Sequence, residues 1–370
     1  MTDIPRLKSP AIGELDAAKN RRILRSAMTP ISADHQGWIR SVLDHQPAPV
    51  PCNFMFSPPA RAKLEQHYGL TGSGRTLEGF LDLPMRFSSC KSIKPSSASP
   101  AIYGPCVKDE FGVTWSTSDI DRGSPIGPAL SEPSLEGYHW PDSHADYRFG
   151  HFAAWSATNA PHWRMVWVGD LLERATFIRG MENILLDLAL DEAFVASLLR
   201  RIADHILTTM TILADRFEFE GFALSDDYGT QHGMIMSPDH WRRLLRPLLA
   251  EIYGLAHARG RIMFHHCCGN VRPIIGDLID LGLDVLHPIQ PEAMDAYELK
   301  RTFGRQITFC GGVGTQELLP HGTPAQIRDE VRRLKDTLGA GGGYILEPGI
   351  TLQADVPLAN MLALLDEARA

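Results

Sequence analysis

Residues 261–270 read Arg-Ile-Met-Phe-His-His-Cys-Cys-Gly-Asn, an apolar run that ends abruptly in two histidines, two cysteines and a glycine. A strand turns successive side chains to opposite faces, so His266 and Cys268 share one face while His265 and Cys267 share the other. Imidazole and thiolate together suit zinc better than magnesium or calcium, which prefer oxygen. The same residues could equally be small buried hydrophobes beside polar loop histidines. The chemistry therefore turns on what else converges on them.

Several other groups qualify. The segment Leu224-Ser-Asp-Asp-Tyr-Gly-Thr-Gln231 offers paired carboxylates, Asp226 and Asp227, that could hold a cation, accept a proton or bind a polar substrate, with Tyr228 and Gln231 beside them. Loop capping by one aspartate, with solvent for the other, is the plainer alternative. His287 and Gln290, then Cys310, then Glu347 each follow a short apolar run. A lone histidine is more often structural than a ligand, and a buried thiol is as readily packing as chemistry. Arg179 could grip a substrate carboxylate through both guanidinium nitrogens, or form a surface salt bridge. Gly339-Ala-Gly-Gly-Gly343 precedes a strand instead of opening a helix, so it reads as a turn and not a phosphate cradle.

These groups need a scaffold that gathers them. From about residue 219 onward, short apolar runs alternate with longer amphipathic stretches, the signature of βα repetition and a parallel sheet. The strands expected are 219–224, 261–264, 284–286, 306–309 and 343–346, each followed by polar or metal-capable residues. Ser237-Pro238 opens a helix that Pro247 should kink and Gly260 should stop. Thr323-Pro-Ala-Gln326 is a capping box that opens another. The first half is less regular, with strands expected at 50–56 and 164–168 and helices near 15–27 and 38–45. Residues 91–145, rich in Pro, Gly and Ser, read as a loop-rich insertion or small hairpin over the mouth of a barrel. An α/β fold of the TIM (β/α)8 type needs about 250 residues. The expected organisation is thus one domain over 1–370, with an N-terminal helical extension at 1–46 and the insertion at 91–145.

Composition narrows the partners. The chain has 370 residues, 44% hydrophobic and 22% charged, enough for a large core. A formal charge of −8, with no long basic run, argues against nucleic acid. Six cysteines, two of them adjacent, do not make a disulfide framework in a chain this large. The first twenty residues lack an apolar signal core, and no stretch approaches the roughly 20 apolar residues of a membrane span, so a soluble cytoplasmic protein is expected.

Taken together, the segments LSDDYGTQ, SPDHWRRLLRPLL, FHHCCGNVRPIIGDLIDLGLDVLHPIQP, ITFCGGVGTQELLPHGTP and GGGYILEPGITLQADVPLANM, in that order and spacing, resemble the uroporphyrinogen decarboxylase superfamily. These are TIM barrels that include decarboxylases and corrinoid-linked or thiol-directed methyltransferases. The His266-Cys267-Cys268-Gly269 element looks like the zinc motif of the methyltransferase branch, while the arginine-rich N-terminal substrate segment of true decarboxylases has no counterpart in PVPCNFMFSPPARAKLEQHYGL. The resemblance implies zinc held by His266 and Cys268, with an acceptor thiol or other small molecule activated in the open position. Asp226 and Asp227 would be catalytic, with Tyr228, Gln231, Gln290 and Arg179 around the substrate.

The chain also departs from the branch. A third ligand is usual in the last strand's loop, where Ile350 stands here. Cys310 and Glu347, ranked together, or an aspartate of the 226–227 pair would have to replace it. The acidic residue usual after the Gly-Gly pair is Gly314. No corrinoid-binding Asp-x-His-x-x-Gly element occurs, so any cobalamin would arrive on a separate protein. The resemblance also admits a homodimer. The alternatives are decarboxylation of a small carboxylated substrate other than uroporphyrinogen, and a diverged barrel that binds a small molecule without turnover.

Overall fold

The computed structural model describes residues 34–95 and 98–370. Seven strands form one sheet: β1 (Met85–Ser89), β5 (Trp163–Gly169), β6 (Gly221–Ser225), β7 (Ile262–His266), β8 (Val285–Ile289), β9 (Thr308–Val313) and β10 (Tyr344–Pro348). They lie in the order β1-β5-β6-β7-β8-β9-β10. Every pairing is parallel. Parallel neighbours need crossover connections, and helices supply them, from Glu192–Arg216 before β6 to Pro324–Leu338 before β10.

The sheet is strongly curled. Phe87 of β1 meets Phe264 of β7 edge to face, 5.6 Å between ring centroids, although β5 and β6 stand between their strands. Three strand spacings on a flat sheet would separate them by about 14 Å. Beyond β10 the chain continues the curl with residues 51–57, where Cys52 and Phe56 bridge Leu346 and Leu352 in parallel. This is the strand expected at 50–56. It forms isolated bridges, and Pro51 and the facing Pro348 have no N–H to extend the ladder on either side of the first. Residues 91–145 carry a separate antiparallel sheet, β2 (Cys106–Lys108), β3 (Thr114–Ser116) and β4 (Pro125–Gly127).

Local signals explain most helix ends. Ser237 Oγ accepts from His240 N, 3.1 Å, at the start of Pro238–Leu244. Instead of a kink at Pro247, the chain breaks at Leu245 and starts a second helix, Arg246–Ala258, whose first turn holds the proline, where its missing N–H is no loss. The Thr323–Gln326 capping box opens Pro324–Leu338. The helix expected at 38–45 spans His35–Leu43. The one expected near 15–27 lies outside the described residues. Among the described residues, no helix is long and apolar enough to cross a membrane.

Two expectations need correction. Strands expected to stop at 264, 286, 309 and 346 run on to His266, Ile289, Val313 and Pro348. His266, His287, Cys310 and Glu347 are therefore strand residues inside the curl, not loop residues above it. Arg179, expected beside substrate, is buried elsewhere. Its Nε donates to Asp187 Oδ2, 2.8 Å, and its Nη1 to the Ser131 carbonyl, 2.5 Å. Both members of the ion pair are under a tenth exposed. The guanidinium ties helix Leu172–Arg179 to helix Met181–Leu190 and to the insertion. Removing one partner strands the other as a buried charge, so Arg179→Ala should cost about 3–5 kcal/mol of unfolding free energy in denaturant melts. Wild-type stability would return Arg179 to the ligand-binding candidates.

Candidate metal site and cavity

β6 and β7 run side by side with Ser225 opposite His266, and Asp226 N donates to the His266 carbonyl, 2.8 Å, carrying the pairing one residue past the strand end. The loops that follow touch backbone to backbone. A Cβ on Gly229 would stand 2.6 Å from Asn270 N, and one on Gly269, with φ +80°, 2.5 Å from the Gly229 carbonyl oxygen. Only glycine allows that approach. It lets Asp227 Oδ1 accept from Cys268 N, 2.6 Å, while Gln290 Oε1 accepts from Gly269 N, 2.5 Å. The Cys268–Gly269 turn is thus clamped from both sides.

Three donor atoms face one another there. His266 Nε2 lies 3.3 Å from Cys268 Sγ and 3.6 Å from Asp227 Oδ1. Ligand bonds of 2.0–2.3 Å around a tetrahedral ion put neighbouring donors roughly 3.3–3.8 Å apart, so the residues fit zinc with one position to spare. The donor set of imidazole, thiolate and carboxylate is also one that zinc accepts. Burial lowers the His266 pKa, which keeps a ring lone pair available. Burial also pushes the Cys268 thiol up, and Asp227 and Glu173 push it further. Glu173 is itself raised to about 7, first by burial and then by Asp170 and Asp227. Carboxylates and a thiol crowded in this way are relieved by a bound cation.

The remaining expected residues sort by what they touch. Asp226 is fully buried and uses both oxygens to cap helix Leu172–Arg179, accepting from Leu172 N, 3.0 Å, and Glu173 N, 2.8 Å. Both oxygens are thus engaged at the start of that helix. Tyr228 is packed in the core against Trp241 and His265, and Gln231 is exposed on the following turn, so neither lines the cavity. Gln290 supports the turn that carries Cys268. Cys310 and Glu347, expected as third ligand to His266 and Cys268, belong instead to a second set with His287. β8 intervenes between their strands and β7, and Asp227 stands where they were expected. In this second set Cys310 Sγ and Asn53 Nδ2 each donate to Glu347 Oε2 at 3.2 Å. Burial raises Glu347 to about 7. The two sets meet through His266 and His287, whose Nδ1 atoms are 3.0 Å apart.

A cavity of about 820 Å³ opens beside the first set. Its inner end includes Trp167 and Ser225, with the Trp167 ring 6.3 Å from the His266 ring. Lys94, Phe111, Trp115 and Arg122 of the insertion also line it. The sequence reading missed these residues, and with them Asp170 and Glu173. Asp170 directly follows β5 and Glu173 sits in the first turn of the next helix, so applying the after-strand rule there would have found the first and pointed to the second. The approach of the two loops is a testable weak point: Gly269→Ala should weaken zinc binding by roughly 10–100-fold, the range for disturbed ligand support, in competition with a chromophoric chelator. Unchanged affinity would show that the loop contact does not position Cys268.

No curated protein matches the chain in sequence. Among solved structures, a methyltransferase from Methanosarcina mazei superposes with a TM-score of 0.66 at 18% identity, covering 90% of this chain and 98% of that one, a likeness of fold. A dihydropteroate synthase from Anaplasma phagocytophilum, at 20% identity over 41% of this chain and 60% of its own, reaches only 0.30 and informs nothing further. Residues 174–370, more than half of the chain, match the family model for uroporphyrinogen decarboxylase (URO-D), and the chain belongs to that family.

Proposed function

We propose that the protein is a zinc-dependent methyltransferase that activates a thiol or related small-molecule acceptor, with the methyl group arriving on a separate corrinoid protein. The strongest support is the Asp227–His266–Cys268 set, whose neighbours Trp167 and Ser225 line the cavity. Family membership and a fold shared with a protein described as a methyltransferase agree with it. Asp227, His266 and Cys268 would hold the ion, which when bound supplies the Lewis acidity that keeps an acceptor thiol ionised near neutral pH.

The chain's own residues then have defined tasks. Gly229 and Gly269 set the loop approach, and Gln290 fixes the turn that bears Cys268. Glu173, near 7 and oriented by Ser225 Oγ at 3.2 Å, is suited to accept the proton that an acceptor thiol gives up. Trp167, Trp115 and Phe111 give the cavity apolar walls that exclude water from the acceptor. One observation favours a second reading. A carboxyl group near 7 beside a cavity could also deliver a proton to carbon, so Glu173 could serve a decarboxylase, which would release carbon dioxide with no metal bound.

Elemental analysis of dialysed protein should find about one zinc per chain, lost in Cys268→Ala. The zinc-loaded protein should then demethylate free methylcobalamin in the presence of a small thiol, read from the cobalamin spectrum. Metal-free wild type that cannot be loaded would exclude the zinc reading. The pH dependence has a fixed sign. The Cys268 thiol is held protonated without metal, so zinc must displace a proton, and affinity should rise with pH by roughly tenfold per unit for each proton released. Calorimetric titrations in buffers of different ionisation enthalpy count those protons. An affinity that does not change with pH would remove Cys268 from the ligand set.

A further inference from the structure

His287, Cys310 and Glu347 form a buried donor set that the reaction above does not use, and two of its polar atoms, His287 Nε2 and Glu347 Oε1, have no hydrogen-bond partner. Buried orphans of this kind imply an ion, a water or a partner about to close. The donor atoms of the set lie within 4.8 Å of one another, so a second metal ion is the first candidate.

The contact between the two histidines decides against it. His266 Nδ1 and His287 Nδ1 are 3.0 Å apart, a distance that accommodates one proton and not two. If His266 gives Nε2 to a metal, its proton is on Nδ1 and is donated to His287 Nδ1, which must then be bare. A neutral His287 therefore carries its own proton on Nε2, and a protonated nitrogen cannot be a ligand. That proton faces Glu347, whose Oε2 is 3.6 Å away. Two metals, one on each Nε2, would require the histidine pair to lose a proton and leave one ring anionic. Cys310 and Asn53 meanwhile hold the carboxylate from the other side.

We propose that His287 and Glu347 are positioning residues for the metal site, forming a relay Glu347–His287–His266 that fixes His266 in the tautomer with Nε2 bare. The inference rests on the proposed role of His266 as a ligand. Outer partners of this kind orient a ligating imidazole and raise its basicity.

The test is zinc binding by the purified full-length chain, with stoichiometry at saturation and affinity by chelator competition. The wild type should take up about one ion, and His287→Phe should bind it roughly 10–100-fold more weakly. His287→Asn, whose amide oxygen can replace the Nδ1 acceptor, should recover part of that loss, which a purely space-filling role would not produce. Circular dichroism and melting of the metal-free variants check that each is folded. Two ions per chain in the wild type would overturn the proposal whatever the variants do. One ion with unchanged affinity in His287→Phe would overturn it while leaving the methyltransferase reading intact. No binding by the wild type would overturn both.

Discussion

The site depends on the register between β6 and β7. With Ser225 opposite His266, the two strands end level, and their exit loops bring Asp227 and Cys268 into hydrogen-bond contact. Side chains alternate along a strand, so a slip of one residue in β7 would exchange the inward pair for the outward one. The outward pair is already engaged. His265 Nδ1 meets the Tyr253 hydroxyl, and Cys267 Sγ accepts from Tyr228 N, 3.3 Å. Slipping the strand would thus lose these two buried contacts as well as the donor set. The structural histidine and cysteine lock the functional ones in place, which is one reason a strand would carry the doubled pattern His-His-Cys-Cys.

A second constraint is charge. Asp170, Glu173, Asp227 and Glu347 gather at the inner ends of the strands with two thiols, and the histidines near them are held neutral by burial. Arginines answer part of this. Arg174 pairs with Asp170 and Asp109, and Arg122 reaches Glu173 at 3.5 Å. No arginine or lysine forms a salt bridge with Asp227 or Glu347 among the described residues. Glu347 resolves its burial by a thiol and an amide donor and by a raised pKa. Asp227 touches the Cys268 backbone and thiol and the neutral His266 ring, so a bound cation would supply the positive partner it lacks.

How much of this was legible in the sequence varies with the kind of signal. The βα alternation after residue 219 was readable because apolar runs and capping residues are local, and Ser237 and Thr323 acted as written. Strand ends were not readable. A polar residue looks like the end of an apolar run, yet His287, Cys310 and Glu347 face one another across the interior and need no solvent. The facing of His266 and Cys268 follows from alternation alone. The choice between Asp226 and Asp227 does not, because it depends on which aspartate meets the start of helix Leu172–Arg179, a contact between segments about fifty residues apart. Arg179 is the same kind of case: its partner Asp187 lies on the next helix. The N-terminal strand at residues 51–57 was placed correctly in sequence but did not form a regular ladder, and Pro51 and the facing Pro348 lack donors to extend it.

On the proposed zinc reading, Asp227 taking the place of a thiolate in the last strand's loop would have a chemical consequence. A dication held by one imidazole, one thiolate and one carboxylate is neutral overall, as it would be with two thiolates and an imidazole, so the exchange does not alter the charge presented to an acceptor. It alters softness. A carboxylate gives less electron density to zinc than a thiolate, which leaves the ion a stronger Lewis acid toward whatever fills the open position. The proposed relay from Glu347 through His287 would act in the opposite sense, by making His266 a better donor. In this arrangement the last strand would still act on a bound metal, through two side chains instead of one, and its contribution would be proton placement in the imidazole pair in place of a direct bond.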